Sequence, residues 1–551
     1  MPSFTSRRRF LRNGSLLVAS TPLVGCAPLA KLFPGNDVII DTASGRVRGV
    51  SVDGVRIFKG IPYGGSTAGS QRFLPPPPAT PWTGVRDALA YGPSAPQRRG
   101  GRRGPDDQSE DCLVLNVYTP SLGDGHNRPV MVWLHGGGFS SGSGSTWLYD
   151  GGNLARHQDV VVVTINHRLN ALGFTYLADM AGAEFAEAGA AGMLDIVAAL
   201  RWVQVHAARF GGDPDLVTIF GQSGGGRKVA TLMAMPDAAG LFHRAIIQSG
   251  ALLRLTTPED AARATQALFR ELGLRPGHVR ELQKVPIERL LAANAAVTRS
   301  VPARELGATA NTPAVDGQII PHHPWDPTAP VLSADIPLLI GYTRTEETAY
   351  QRPTNQAIAM TADELRERIA QRIGQDPDAL IAAYAQTHPE ATPWDLNILI
   401  ATDHPRGSFA REMAKRKADA GGAPAYFYRF DWETPEGGMV YDAFLDPSPA
   451  PVPGGRMRSP HTMEIPFVFD NMATAGPLIA TMASAQQLSS RISESWAHFA
   501  RTGDPNTQHL PNWPKYSAET RHTMLFNDDC RVVADPDQVP RLAMEKVLGL
   551  G

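Results

Sequence analysis

The sequence predicts an α/β fold: a large, mostly parallel sheet with helices on both faces and further helical insertions that form a cap. Three observations carry this. Several short runs are apolar at every position, as strands buried on both faces must be. Segments with helical spacing alternate with them, which implies crossover connections and parallel pairing. One run, Leu216-Val217-Thr218-Ile219-Phe220, enters the turn Gly221-Gln222-Ser223-Gly224-Gly225 and leaves it as helix-forming sequence, Arg227 to Met235, closed by Pro236.

Taken in order, Gly45 to Gly49 and Val55 to Phe58 alternate as a hairpin. Gly60 to Tyr63, Arg72-Phe73 and the prolines from Pro75 to Pro78 then form an extended crossing segment. Arg98 to Pro105, with four arginines among glycines, reads as a surface loop. Leu113–Tyr118, Val130–Leu134 and Val160–Ile165 are strands. Leu194 to Phe210 repeats apolar residues at helical spacing and stops at Gly211-Gly212. After the central turn comes the strand Arg244–Ile247. Thr256 to Pro302 is polar and helical, an insertion over the sheet. Strand character returns at Pro337–Gly341, a second helical block covers Ala362–Lys417, and Ala425–Phe430 is again a strand. A long helix near Ala485–Arg501 precedes Met524-Leu525-Phe526, which closes the sheet. There is no internal repeat and no clear linker, so a single large domain with insertions is expected.

The bulk properties narrow the function. The chain has 551 residues, 42% hydrophobic and 19% charged, with a formal charge of -2. That is an ordinary globular profile, with no reason to expect a nucleic-acid partner. Cys26, Cys112 and Cys530 make neither a disulfide framework nor a metal site, and no apolar run is long enough to be a permanent membrane span. At the N-terminus, Ser6-Arg7-Arg8-Arg9-Phe10-Leu11-Arg12 followed by an apolar stretch from Gly14 to Gly25 is similar to a twin-arginine export signal. Leu23-Val24-Gly25-Cys26 matches a lipobox, in which Cys26 is lipidated and anchors the mature chain; cleavage near Ala27 competes with it. Residues 1–26 are therefore read as a signal and 36–549 as the domain. Export leads to the periplasm, the cell envelope or the medium.

The turn at Ser223 carries the chemistry. G-x-S-x-G between a strand and a helix is a nucleophile elbow: the glycines permit a tight, strained turn and the helix N-terminus favours negative charge. About 0.3 chance matches are expected in a chain of this length, and a second one, Gly138-Phe139-Ser140-Ser141-Gly142, leads into glycine and serine without a helix, so Ser140 is assigned to a loop. A serine needs a base and a group that holds the base. On such a sheet the partners follow in the order Ser, acid, His, but spacing alone does not choose among His388, His404, His461, His498, His509 and His522. Before the elbow, His135-Gly136-Gly137-Gly138-Phe139 follows a central strand, where exposed backbone N–H groups suit an oxyanion hole.

These stretches resemble the type-B carboxylesterases of the α/β-hydrolase fold, which include bacterial p-nitrobenzyl esterases and cholinesterases. The resemblance also rests on Phe58-Lys59-Gly60-Ile61-Pro62-Tyr63, Ser109 to Asn116, Asn166-His167-Arg168, Phe210 to Pro214 and Phe499 to Asn506. It implies Ser223 as nucleophile. Glu346, after Gly341-Tyr342-Thr343-Arg344-Thr345, would be the acid, with Glu347 one register away. His461, ahead of Thr462-Met463-Glu464, would be the base, and Gly137, Gly138 and Gly224 the oxyanion donors. An acyl-enzyme cycle on neutral short-chain or aryl-alkyl esters follows, needing no metal or organic cofactor. The alternatives are a hydrolase restricted to one natural or polymer-derived ester, and a non-catalytic binding protein on the same fold. The latter is disfavoured by the presence of all three residues. The membrane-active lipase option lacks an extended apolar lid.

The chain departs from the family in three ways. Gln222 and Gly224 stand where Glu and Ala are usual. Cys112 has no cysteine partner between Ala27 and Asp111, and so is expected as a free thiol. The Arg98–Arg103 region lacks the aromatic that cholinesterases use to hold a quaternary ammonium, which argues against choline esters. The sequence does not fix the physiological ester or the oligomeric state.

Overall fold

The computed structural model describes residues 36–98, 107–301, 310–436 and 457–550. The export signal, Cys26 and the arginine-rich loop beyond Arg98 lie outside the described residues.

The centre is a 13-stranded sheet. In chain order its strands are β1 (Asp37–Thr42), β2 (Gly45–Val52), β3 (Val55–Pro62), β4 (Val85–Asp87), β5 (Val114–Thr119), β6 (Arg128–Leu134), β7 (Val161–Ile165), β8 (Gly212–Gln222), β9 (Arg244–Gln248), β10 (Leu338–Thr343), β11 (Ala425–Phe430), β12 (His522–Phe526) and β13 (Arg531–Ala534). They lie in the order β1-β2-β3-β5-β7-β6-β8-β9-β10-β11-β12-β13, with β4 beside β2. From β7 through β12 every pairing is parallel. The β1 side, apart from the parallel β2–β4 pair, and the last pair, β12–β13, are antiparallel. The expected sheet is therefore present, but β13 closes it rather than β12, and β1 extends the other edge. Both are short and partly exposed along their whole length, so neither carries the long buried apolar run that marks the central strands.

Alternation along the central strands explains how one chain fills two cores. On β6, Val130, Val132 and Leu134 join one core cluster, and Met131 and Trp133 the other. Ile219 and Phe220 on β8 divide in the same way. The first face is covered by the helices Ala191–His206, Gly224–Leu232 and Ser408–Asp419, through Ile196, Leu200, Val229 and Met413. The second is covered by Ala483–Thr502, through Leu488, Ile492, Trp496 and Phe499. The stretch Ala183–Phe210 has the length and apolar composition of a membrane span, which corrects the expectation that no run does; yet 78% of its apolar window is buried inside the protein, so its surface is spent on the sheet.

The cap helices Pro258–Glu271 and Ile287–Ser300 close a third cluster around Leu268, Phe269 and Leu290. The second helical block starts its helices with local caps. Thr361 with Glu364 and Thr392 with Asp395 form reciprocal capping boxes, and Pro393 sits at the first turn where its missing N–H costs nothing. This block is interrupted at Asp403–Gly407, where Pro405 supplies no backbone donor. Cys112 and Cys530 are buried free thiols, and burial pushes the Cys112 thiol well above its usual value.

Candidate active site

The carboxyl ends of adjacent parallel strands converge at one point, the usual ligand position in such sheets. Leu134 at the end of β6 pairs with Gly221 of β8, and Gln222 pairs with Gln248 of β9, which pairs with Gly341 of β10. Three sequence-predicted segments thus leave the sheet side by side: the His135–Phe139 loop, the Ser223 elbow, and the turn carrying Glu346.

Ser223 has φ 57° and ψ -121°, a strained conformation for a residue with a Cβ. Its N–H donates to the Gln248 carbonyl at 2.8 Å, which helps hold the turn. The elbow is tight enough that a Cβ at Gly225 would enter the Leu134 carbonyl oxygen, and one at Gly224 would enter the Gly138 backbone. Gly224 opens the helix Gly224–Leu232, where a first-turn N–H has no partner inside the helix. Gly137 and Gly138 have φ 93° and 64°, and their N–H groups meet no acceptor among the described residues. Ser140, the second pattern match, lies in the following turn and its hydroxyl accepts from Asn311 Nδ2 at 3.1 Å.

Glu346 and His461 meet directly: the carboxylate oxygen Oε2 lies on His461 Nδ1. Both are buried, at 0% and 1% exposure. Glu346 also accepts from the Thr343 N–H at 2.9 Å and from Arg406 at 3.4 Å. Burial works against its charge, but His461 and Arg406 outweigh that and hold its carboxyl below the usual range. Glu347 turns elsewhere, to Gln351 at 3.1 Å and Arg406 at 3.7 Å. Three of the other histidines are used locally: His509 contacts Glu494, His498 bonds the Asp504 carbonyl, and His388 lies against Tyr384 and Thr387.

A second layer surrounds this pair, of which sequence reasoning singled out only Gln222, as a departure from the family. The Gln222 amide, fully buried, lies 3.3 Å from each ring nitrogen of His461. The Ser249 hydroxyl donates to Glu464 Oε1 at 3.2 Å, and the Ser249 N–H to the Gly341 carbonyl at 2.8 Å. Burial, and then the nearby Glu346 charge, raise the Glu464 carboxyl to about 8, so it holds a proton at neutral pH. Tyr350 lies with its ring 5.4 Å from that of His461 and beneath the Arg406 guanidinium. Glu464 is in the stretch that identified His461, but nothing in the sequence says that its carboxyl turns inward. Arg406 arrives from the helix interruption at Asp403–Gly407, 60 positions from Glu346.

Strand order, elbow and flanking helices define the α/β-hydrolase fold. The Carboxylesterase family model matches residues 36–539. The para-nitrobenzyl esterase of Bacillus subtilis is 36% identical over 91% of this chain and 97% of its own length. The phenmedipham hydrolase of Pseudarthrobacter oxydans is 34% identical over 91% and 98%. The crystal structure of the Geobacillus stearothermophilus carboxylesterase EST55 superposes with a TM-score of 0.78 at 38% identity, covering 92% of this chain and 99% of that one. This chain belongs to the carboxylesterase family and is a carboxylic ester hydrolase.

Proposed function

We propose that Ser223, His461 and Glu346 form the catalytic triad, and that the N–H groups of Gly137, Gly138 and Gly224 form the oxyanion hole. The carrying observation is the buried Glu346–His461 pair beside the elbow, with Gln222, the residue before Ser223, against the same imidazole ring. Glu346 holds the ring orientation and stabilises the imidazolium; His461 takes the Ser223 proton as the hydroxyl attacks the ester carbonyl. The carbonyl electrons move onto oxygen under the glycine N–H groups, then return as the alcohol leaves with the proton from His461. Water, deprotonated by His461, releases the acid by the same path.

The substrates we propose are neutral short-chain or aryl-alkyl esters, in keeping with a relative named for the para-nitrobenzyl group. A second relative named for one compound, phenmedipham, favours the narrower alternative of a hydrolase restricted to one ester. We also propose export by the N-terminal twin-arginine-like segment, with Cys26 as the anchor if the lipobox is read.

Hydrolysis of p-nitrophenyl acetate, butyrate and a long-chain ester tests the substrate reading. Rates that fall steeply with acyl length support it. Inertness toward all three, in a chain that a phosphonate still labels, transfers the assignment to the restricted hydrolase.

A further inference from the structure

Lys228 is fully buried in the helix that follows the elbow. A lysine in such a place costs several kcal/mol unless its charge is used. Among the described residues its ammonium makes one hydrogen bond, donated to the His135 carbonyl at 3.0 Å, and it stands 5.7 Å from the centre of the Phe139 ring. Both contacts are to the loop that contains Gly137 and Gly138.

Around it the loop root is built from aromatic nitrogen heterocycles. The rings of His135 and His167 stack at 4.8 Å and 13°. The Nδ1 of each turns to a neighbouring carbonyl, Gly136 and Arg168, at 2.8 Å. Burial, and next the Lys228 charge, hold His135 down to about 3 and His167 well below its usual value. Neither ring is charged at neutral pH. Arg168 is taken up by Asp195 at 2.6 Å. Lys228 is itself pushed down to about 7 by burial and by Arg227. Gly137 and Gly138 have positive φ and no side chains to fix them. Their placement depends on what grips the peptide at the root.

We propose that Lys228 is a positioning residue for ester hydrolysis: its ammonium, bonded to the His135 carbonyl, fixes the Gly136–Gly138 backbone and places positive charge beneath the N–H groups that receive the oxyanion. This rests on the assignment of Gly137 and Gly138 made above. An interaction of this kind strengthens as charge builds on the carbonyl oxygen, so it acts on kcat more than on KM.

Lys228→Met removes donor and charge, and Lys228→Gln keeps a donor without the charge. We expect Lys228→Met to lower kcat by about 10- to 100-fold with KM within about 3-fold. The affinity for phenylboronate, a tetrahedral mimic, should fall by a similar factor, and Lys228→Gln should lie between. A purely structural lysine would not move boronate affinity and kcat together. Two folded variants with wild-type kcat and boronate affinity, beside an inactive Ser223→Ala, overturn the proposal; a loss confined to KM does the same. Activity retained by Ser223→Ala would instead remove the site assignment itself. Should neither lysine variant melt cooperatively, the wild-type pH profile decides. The groups facing Lys228 are Arg227 on its own helix, His135 on the loop, and His167 after β7, behind which stands the Asp195-paired Arg168. The expected profile has kcat falling as pH rises through about 7, where the lysine loses its charge. A kcat that stays level up to pH about 10.4, the ordinary lysine value above which this lowered lysine is uncharged, overturns the proposal.

Discussion

At the scale of the residue, what sets this site apart is the neutral amide of Gln222 lying against the His461 ring, where the family resemblance leads one to expect a carboxylate. A carboxylate there would favour the imidazolium. Gln222→Glu should therefore move the rising limb of the kcat/KM profile to higher pH, by about one unit, and an unchanged limb would show that this side chain does not reach the base. Glu464 gives a second test, by stability. Its carboxyl is raised to about 8 in the folded chain, against about 4.3 unfolded. Its stabilising contribution is therefore full below the unfolded value and is lost as pH rises through the folded one. Glu464→Gln, which does not titrate, should gain stability over wild type as pH goes from about 5 to about 8. Denaturant melts of the two that keep a constant difference would contradict a buried, protonated Glu464. Residue chemistry was legible where a motif names it, as at Ser223. The exchange at Gln222 was legible but not the contact of its amide with the ring, and the inward turn of Glu464 was not legible, because a one-letter code carries no direction for a side chain.

At the scale of the element, the site depends on how closely the elbow packs on β6. Gly225 has no space for a Cβ against the Leu134 carbonyl. Gly225→Ala should cost about 3 kcal/mol or more in urea unfolding; a cost within about 0.5 kcal/mol would mean that the elbow and strand can part easily. The strand–turn–helix was readable because its apolar run, glycines and helix formers agree with one another. The sequence places the helix at Arg227, whereas it begins at Gly224; glycine is a poor helix former, and tertiary packing overrides that preference here. Likewise β1, β13 and the C-terminal helix Gln538–Leu548 were missed, being half-exposed elements without a strong periodic signal. The second match to the elbow pattern at Ser140 was separated correctly by its missing helix.

At the scale of the whole molecule, long-range polar ties hold the layers in register. Arg168, after β7, binds Asp195 on the helix Ala191–His206 through two side-chain bonds at 2.6 and 2.8 Å. It also reaches the Leu74 carbonyl of the crossing segment at 2.7 Å, and the ion pair has 1% and 0% exposure. Removing one partner leaves a buried charge uncompensated, so Asp195→Ala should destabilise by about 3–5 kcal/mol. A loss below about 1 kcal/mol in equilibrium unfolding would contradict that. Such ties join residues far apart in sequence, and for that reason the sheet was foreseeable while its fastenings were not. The family resemblance selected Glu346 and His461 from several candidates, and the two are in contact; spacing alone would have left six histidines open. The central claim, an acyl-enzyme on Ser223, is tested most directly by reacting the mature chain with diethyl p-nitrophenyl phosphate and following intact mass and peptide map. The expected result is one phosphoryl group per chain, on the peptide containing Ser223, with loss of esterase activity in step and no adduct in Ser223→Ala. Labelling at another residue, or full activity in Ser223→Ala, would contradict the account.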